Sequence, residues 1–414
     1  MVKSAAHVSS LARILMLAPE PFFEPRGTPF SEYHRIKALG ELGYAVDLVT
    51  YPFGRDVTLR NLRIVRCARP PLVEGVKVGP SATKLLLDGL LAVTATRLAF
   101  ARRYDAIHSH EEAGVLGLWL ARRLGIPHLY DMHSSLPQQL ANFRYTRSAL
   151  LRRLFERVEI SMIEHSQVII TICPELQATA VARGAGRRAF LIENVMGGDV
   201  EETKPIPARE MRARYGVGSD QPLVLYTGTF EPYQGLDLLT EAAALLRRSH
   251  PDARFLVVGG TAAQVDRARA QAVRSGSPLV FAGQRPPQEI PSFVAASDIL
   301  VSPRISGTNT PLKIYSYLRS GKPIVATDLQ THTQVLSDST AALVPPNAPA
   351  LAAGLARLMD RPEERRRLAT AARLLAASRY SRETYLSRTA AAYERLLRRR
   401  PSIGSVGAPH SGAA

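Results

Sequence analysis

Three glycine-containing loops and one group of histidines hold most of the residues in this chain whose types and spacing could do chemistry. The stretch "SPRISGTNTPLKIYSYLRSGKPIVAT", residues 302–327, reads as the end of a strand delivering Arg304, then a loop of small and hydroxyl residues, then a helix. The loop contributes Gly307, Thr308, Asn309 and Thr310. Pro311 suits the first turn of a helix that continues through Leu312, Lys313 and Ser316. Free backbone N–H groups at that helix start, with Arg304 and Lys313 near in sequence, form an anion site; an ordinary strand-to-helix loop with basic surface residues is the competing reading. A second loop, "YTGTFEPYQG", places Gly228 and Thr229 after another apolar run, and a third, "PEPFFEPRGTPFSE", places Gly27 and Thr28 before the first long helix. Three such loops at strand ends facing one cleft suit an extended, phosphorylated ligand.

The histidines come in two pairs of positions. "YDAIHSHEE" sets His108 and His110 two apart, so on a strand they share a face, and "IPHLYDMHSS" sets Asp131 and His133 in the same relation one strand later. His-x-His is a spacing that metal ligands use, while hydrogen-bonded core histidines are the competing reading, stronger for His108 than for the two at the strand tips. Asp-x-Asp, a motif that would hold a divalent cation against a diphosphate, occurs nowhere in the chain.

Elements must position these residues, and length sets their scale. At 414 residues the chain exceeds one comfortable core, so two domains are expected. A hydrophobic content of 46% with 21% charged residues fits a soluble globular protein, and no apolar run approaches the roughly 18 residues of a membrane-spanning helix. The apolar stretch 14–18 is too short for a secretory core and reads as a first strand, so a cytoplasmic location is expected. The two cysteines, Cys67 and Cys173, form no CxxC and read as buried fillers. The 53 basic against 36 acidic residues give +17, which favours a nucleotide, a phospholipid surface or nucleic acid as partner. Nucleic acid is the least supported, because no zinc-finger spacing or aromatic-interleaved basic stripe is present.

Short β-branched runs alternate with helical patterns along the whole chain, which predicts parallel sheets covered by helices on both faces. Strands are expected at 13–18, 45–51, 63–67, 106–109, 128–131, 168–173 and 189–192. The pattern restarts after the linker-like "GGDVEETKPIPARE" with "PLVLYTGT", "ARFLVVGG", "PLVFAG", "DILVSPR", "KPIVATD" and "AALVPP". This gives an α/β protein of two Rossmann-like domains, 1–200 and 201–378, facing each other across a cleft at the carboxyl ends of both sheets. A helix at 379–400 packs back toward the first domain, and 401–414 has the composition of a disordered tail. Residues 144–157, "RYTRSALLRRLFER", place Leu150, Leu151, Leu154, Phe155 and Val158 on one helical face, expected to pack on its own sheet, and Arg152, Arg153 and Arg157 on the other. Those arginines suit an anionic membrane surface and a peripheral association with it.

With these motifs in order, the chain resembles the family 4 glycosyltransferases, retaining enzymes of the two-Rossmann-domain (GT-B) fold. "RGTPFSEYHRIKALGELGYAVDLVT", "DAIHSHEEAGVLG", "YDMHSS", "VIITICPEL", "IENV", "YTGTFEPYQGLDLL", "LVVGG" and "PLKIYSYLRSGKPIVATD" carry the resemblance, which covers nearly the whole chain. It implies that Gly228 opens the diphosphate loop with Thr229, that residues 308–313 meet the nucleotide sugar, and that His133, preceded by Asp131, sits beside the transferred sugar. Gly27, Thr28, His110 and Glu111 would line the phosphate or acceptor side. It also implies a nucleotide-sugar substrate, no metal and no other cofactor, and a saccharide, lipid-linked or cell-envelope acceptor.

The departures from that family fall at the site. The Arg and Lys usual in the loop after the first strand of the second domain are here Thr229 and Gln234, and the usual pair of glutamates falls on Thr308 and Ser316. In one reading Arg304 and Lys313 take over the diphosphate charge, and the hydroxyls of Thr308, Thr310 and Ser316 replace the carboxylates. In another, catalysis is lost and the protein binds or scaffolds. A nucleotide-sugar 2-epimerase of the same fold stays open, with Glu111, Glu112 and Asp131 as acid/base candidates. A dehydrogenase is disfavoured by the lack of G-x-G-x-x-G after the first strand.

Overall fold

The computed structural model describes residues 12–24, 27–71, 73–76, 81–137, 148–194 and 205–398, and within them the alternating pattern folds as two parallel sheets. The first contains β1 (Arg13–Ala18), β2 (Ala45–Thr50), β3 (Leu62–Arg66), β4 (Ala106–His110), β5 (His128–Met132), β6 (Val168–Thr171) and β7 (Ala189–Leu191) in the order β3-β2-β1-β4-β5-β6-β7. The second contains β8 (Leu223–Thr227), β9 (Arg254–Val258), β10 (Leu279–Gly283), β11 (Ile299–Ser302), β12 (Ile324–Thr327) and β13 (Ala342–Val344) in the order β10-β9-β8-β11-β12-β13. Both orders reverse direction once, between β1 and β4 and between β8 and β11. At such a switch point the connections leave to opposite sides and open a crevice at the strand carboxyl ends. His108 and His110 lie on β4, Gly228 follows β8, and Arg304 follows β11, so the sequence candidates cluster at the two switch points.

Burial on both faces explains why the central strands read as nearly unbroken apolar runs. On one face of the first sheet, Ile14 and Met16 pack with Ile36 and Leu39 of the helix Gly27–Glu41, and with Tyr385, Tyr393 and Leu396 of the helix Arg382–Leu397. On the other, Leu15 and Leu17 meet Leu87, Leu91 and Leu120 from the helices Ala82–Ala101 and Ala113–Leu124. The chain therefore crosses back at its end, and the helix Arg382–Leu397 helps to close the core of the sheet that the chain began. Ion pairs of Arg379 and Arg388 with the buried Glu193, at 3.6 and 3.4 Å, fix that return.

Some expectations shift. Gly27 and Thr28 open the first helix rather than precede it, because Pro29 can occupy a first-turn position whose N–H has no helical partner. The last residues of the linker stretch form the helix Ala208–Arg214, while 195–204 and the tail lie outside the described residues. The largest correction concerns the helix Ala149–His165. Its inward stripe is Phe155, Val158, Met162 and Ile163, and Leu150 and Leu154 point to solvent with exposures of 78% and 53%. The 3.6-residue period rotates those two leucines off the inward stripe and onto the arginine side.

Two buried histidines tie strand ends together in the neutral form. His128 contacts the hydroxyls of Ser109 at 2.5 Å and Ser166 at 2.9 Å, and burial lowers its pKa to about 3. His332 donates from Nδ1 to the Thr327 carbonyl at 2.8 Å and lies 2.9 Å through Nε2 from the Ser302 hydroxyl; burial, helped by Arg304 and Lys313, lowers it to about 3 as well. A depressed histidine contributes stability that is present above its unfolded pKa of about 6.5 and lost as pH falls toward the folded value. Buried Glu32 and half-buried Glu112, pushed up by desolvation to about 8 and about 7, act in the opposite sense, so a single pH curve would blend them. The stability advantage of the wild type over His332→Asn is therefore predicted to shrink by about 1.4 kcal/mol per pH unit between pH 6.5 and 5. Urea unfolding at several pH values measures it, and a gap that stays constant contradicts the assignment.

Candidate active site

The second domain contributes two cations with little to neutralise them. Arg304 is buried where β11 ends, and its Nη1 donates to the Asn309 carbonyl and the Thr331 hydroxyl, both at 2.7 Å. Its guanidinium lies 5.1 Å from the ring centre of Tyr233, and its Nε is buried without a hydrogen-bond partner. Lys313, in the first turn of the helix Leu312–Arg319, places its buried Nζ 4.0 Å from the ring centre of Tyr226, again with no hydrogen-bond partner. Burial, and then the charge of Arg304, hold its pKa well below the ordinary lysine value.

The glycine loop meets this pair from the next strand. Gly228 has φ of +149°, and a Cβ built on it would stand 3.1 Å from Lys313 Nζ, so the ammonium lies directly against the loop backbone. Gly259, after β9, touches the same loop: a Cβ there would come within 1.8 Å of the Gly228 carbonyl. That second contact was hidden in the motif "LVVGG", where the doubled glycine after a strand was the available signal.

The hydroxyl residues divide in their use. Ser316 donates to the Lys313 carbonyl of its own helix at 2.8 Å, and the Thr308 carbonyl accepts from Gln334 at 2.8 Å. Thr310 is buried, Pro311 after it caps the helix that begins at Leu312, and Thr229 is exposed with its carbonyl accepting from the Tyr226 hydroxyl at 2.7 Å.

The first domain supplies a compact cluster around one carboxylate. Asp131, fully buried, lies 3.2 Å from His108 Nε2, 3.2 Å from His133 Nε2 and 3.3 Å from Arg35 Nε. His110 Nδ1 is 3.2 Å from His133 Nε2, and His108 Nδ1 is 2.5 Å from the Tyr393 hydroxyl. Burial alone would raise the Asp131 pKa; the neighbouring His133 and Arg35 charges and the hydrogen bonds of His108 and His133 outweigh it and hold the carboxyl well below the usual range. Burial keeps His108 and His110 neutral at ordinary pH. One ligand atom each from His108, His110 and Asp131 lies within 4.8 Å of the others, close enough to share a cation. Arg35 already supplies a permanent charge to that carboxylate, so a second cation would meet repulsion there.

Arg35 was not singled out in the sequence; its place in the first helix, inside "SEYHRIKALG", gives no hint that it points into the core. Glu111 follows His110 with φ of +46°, its N–H donating to the Asp131 carbonyl at 3.3 Å. Its carboxylate accepts from the Ser134 hydroxyl at 3.2 Å. Glu112 turns away and pairs with Lys84. Of the three carboxylates an epimerase reading needs, one is thus neutralised by a lysine and another is locked as an anion, a poor match for proton exchange.

Asn309 joins the two halves. Its side-chain amide donates to the His133 carbonyl at 2.6 Å, and its own carbonyl accepts from Arg304 at 2.7 Å and from Thr331 at 2.6 Å. The Glu175 N–H adds a contact to Gln334 at 3.3 Å, and the Glu175 carboxylate accepts from Gln330. The buried cation of one domain and the histidine of the other are therefore two hydrogen bonds apart.

Removing the shared carboxylate tests this cluster. Asp131→Asn leaves Arg35 buried without its anion and is predicted to cost about 3–5 kcal/mol of stability in denaturant unfolding. An unfolding midpoint equal to that of the wild type would contradict the pairing.

Comparison with known proteins agrees with this geometry. Residues 33–194 match the family described as a glycosyl transferase 4-like domain, and residues 207–375 match glycosyl transferases group 1. The chain is 29% identical over 311 residues to an alpha-D-kanosaminyltransferase of Streptomyces kanamyceticus, covering 70% of this chain and 78% of that one. It is 28% identical over 356 residues to a D-inositol 3-phosphate glycosyltransferase of Corynebacterium glutamicum (strain R), covering 80% and 82%. Its fold superposes on that of Anabaena Alr3699/HepE in complex with UDP-glucose with a TM-score of 0.73 at 18% identity, over 92% of this chain and 99% of that one. The two family matches fall in order on the two sheets, and the chain belongs to the family 4 glycosyltransferases, with their GT-B fold.

Proposed function

We propose that the protein transfers a sugar from a nucleoside-diphosphate sugar to a saccharide or lipid-linked acceptor, with retention of configuration and without a metal. One observation carries the donor half: the buried, unpartnered ammonium of Lys313 against the backbone of Gly228, with Arg304 beside it. An unpaired buried cation destabilises the protein that holds it, and a diphosphate placed there would supply the missing anion. The neighbour solved with UDP-glucose supports a donor of that class, and the D-inositol 3-phosphate glycosyltransferase relative supports a polyhydroxylated acceptor. The same observation favours a protein that binds an anion here over a scaffold that binds no nucleotide, because the buried amine has no hydrogen-bond partner of its own.

Each residue then has a task. Arg304 and Lys313, with the N–H groups at the start of the helix Leu312–Arg319, hold the diphosphate and take up the charge that builds on it as the glycosidic bond to the leaving phosphate breaks. His133, held by its carbonyl to Asn309, faces the sugar from the other domain. Asp131 fixes the imidazole and stays an anion throughout. Retention places the acceptor on the face of the sugar that the leaving diphosphate occupied.

Two substitutions separate binding from turnover. A charge-assisted contact to a diphosphate contributes about 1.5–3 kcal/mol, so Lys313→Ala is predicted to weaken UDP binding by about ten-fold or more in calorimetry. Unchanged UDP affinity in both Lys313→Ala and Arg304→Ala removes the proposed donor contact. His133→Ala is predicted to lower turnover by about a hundred-fold with little change in donor affinity, as for an interaction realised mainly in the transition state. Equal losses of binding and turnover would make His133 structural. Activity that vanishes in EDTA and returns with a divalent ion would refute the metal-free reading.

A further inference from the structure

Among the described residues thirteen large hydrophobic side chains are exposed, and eight of them lie on three helices of the first domain. The helix Ala82–Ala101 presents Leu86, Val93 and Phe100 at seven-residue intervals, one stripe along its length, with Leu85 beside it. The helix Ala113–Leu124 adds Val115 and Trp119, and the helix Ala149–His165 adds Leu150 and Leu154. The middle helix packs against both of the others, so the three form one continuous face. The half-buried Lys84–Glu112 pair pins the starts of the first two to each other.

The charges on this face are nearly all of one sign. Arg97, Arg122, Arg123, Arg152, Arg153 and Arg157 are exposed on the three helices. The exposed acids there are Glu156 and Glu164, and Glu156 is engaged by Arg183 at 3.7 Å. The Arg123 guanidinium lies over the Trp119 ring, 5.7 Å from its centre. Two copies of such a face would repel each other. A surface that offers apolar contact beneath a layer of negative charge complements it, and that describes an anionic lipid bilayer.

We infer that the outer face of the helices Ala82–Ala101, Ala113–Leu124 and Ala149–His165 docks the protein on an anionic lipid surface. No described helix is long and apolar enough to cross a membrane, so the contact is one of lying on the interface. Each helix follows a parallel strand, so its first turn lies at the carboxyl ends of the strands. Leu85, Leu86 and Leu150 thus border the edge of the domain that carries His133, and an acceptor anchored in the lipid would approach the cleft along that edge. The docking itself does not depend on the transferase reading.

Sedimentation with vesicles tests it without any assay of transfer. The full chain is expected to bind vesicles of phosphatidylcholine containing about one third phosphatidylglycerol, to bind pure phosphatidylcholine far less, and to be released as salt rises. Val93→Glu with Phe100→Glu is expected to lower the partition by about a hundred-fold, and each of Arg122→Glu and Arg123→Glu by about five-fold or more. Thermal midpoint and UDP affinity serve as controls and should stay at wild-type values, since all four side chains are exposed. Equal binding to both vesicle types, no binding at low salt, or a concentration-dependent dimer abolished by the same substitutions would each overturn the proposal, the last by giving the face to a second copy.

Discussion

The site is organised around a lysine ammonium that the fold buries and does not pair. Lys313 has the ring of Tyr226 on one side and the Gly228 backbone on another, and burial followed by the charge of Arg304 lowers its pKa. Everything else in the second domain's cleft follows from keeping that group in place. The Tyr226 ring lies against it, Gly228 lets the backbone come close, and the helix Leu312–Arg319 carries it in its first turn.

The first domain solves the opposite problem. Asp131 is an anion fully out of water, and Arg35, His108 and His133 surround it at 3.2–3.3 Å. Because the helix Arg382–Leu397 brings Tyr393 and Thr389 onto His108 and Arg35, the end of the chain takes part in holding the cluster. Asn309 then couples the two domains through the backbone of His133 and the side chain of Arg304. Arg304 and the histidine across the cleft are thus linked through a single residue.

Much of this was legible in the sequence. The strands could be read because burial on both faces leaves apolar runs that no helix period mimics, and the switch points could be read because strand-end loops carry glycine and hydroxyl residues. What stayed hidden depended on direction. Arg35 looks like any charged helix residue until its face is known, and nothing in "SEYHRIKALG" marks it as buried. Leu150 and Leu154 look like core residues, because five apolar positions in the 150–158 stretch are too many for one stripe and composition does not say which are left outside. The Gly259 contact with the Gly228 loop joins two strands adjacent in space, and sequence separation conceals it. Of the expected linker, residues 197–210, those up to 204 lie outside the described part of the chain.

The central claim is that Lys313 waits for a diphosphate with its pKa lowered by burial. An anion brought against it favours the charged form, so binding must raise that pKa and draw a proton from solution. Calorimetry of UDP binding at mildly alkaline pH, repeated in buffers of different ionisation enthalpy, counts the protons exchanged. The account predicts a net uptake that disappears in Lys313→Met, with affinity falling as pH rises. Binding with no proton uptake, or an uptake that survives Lys313→Met, would contradict it.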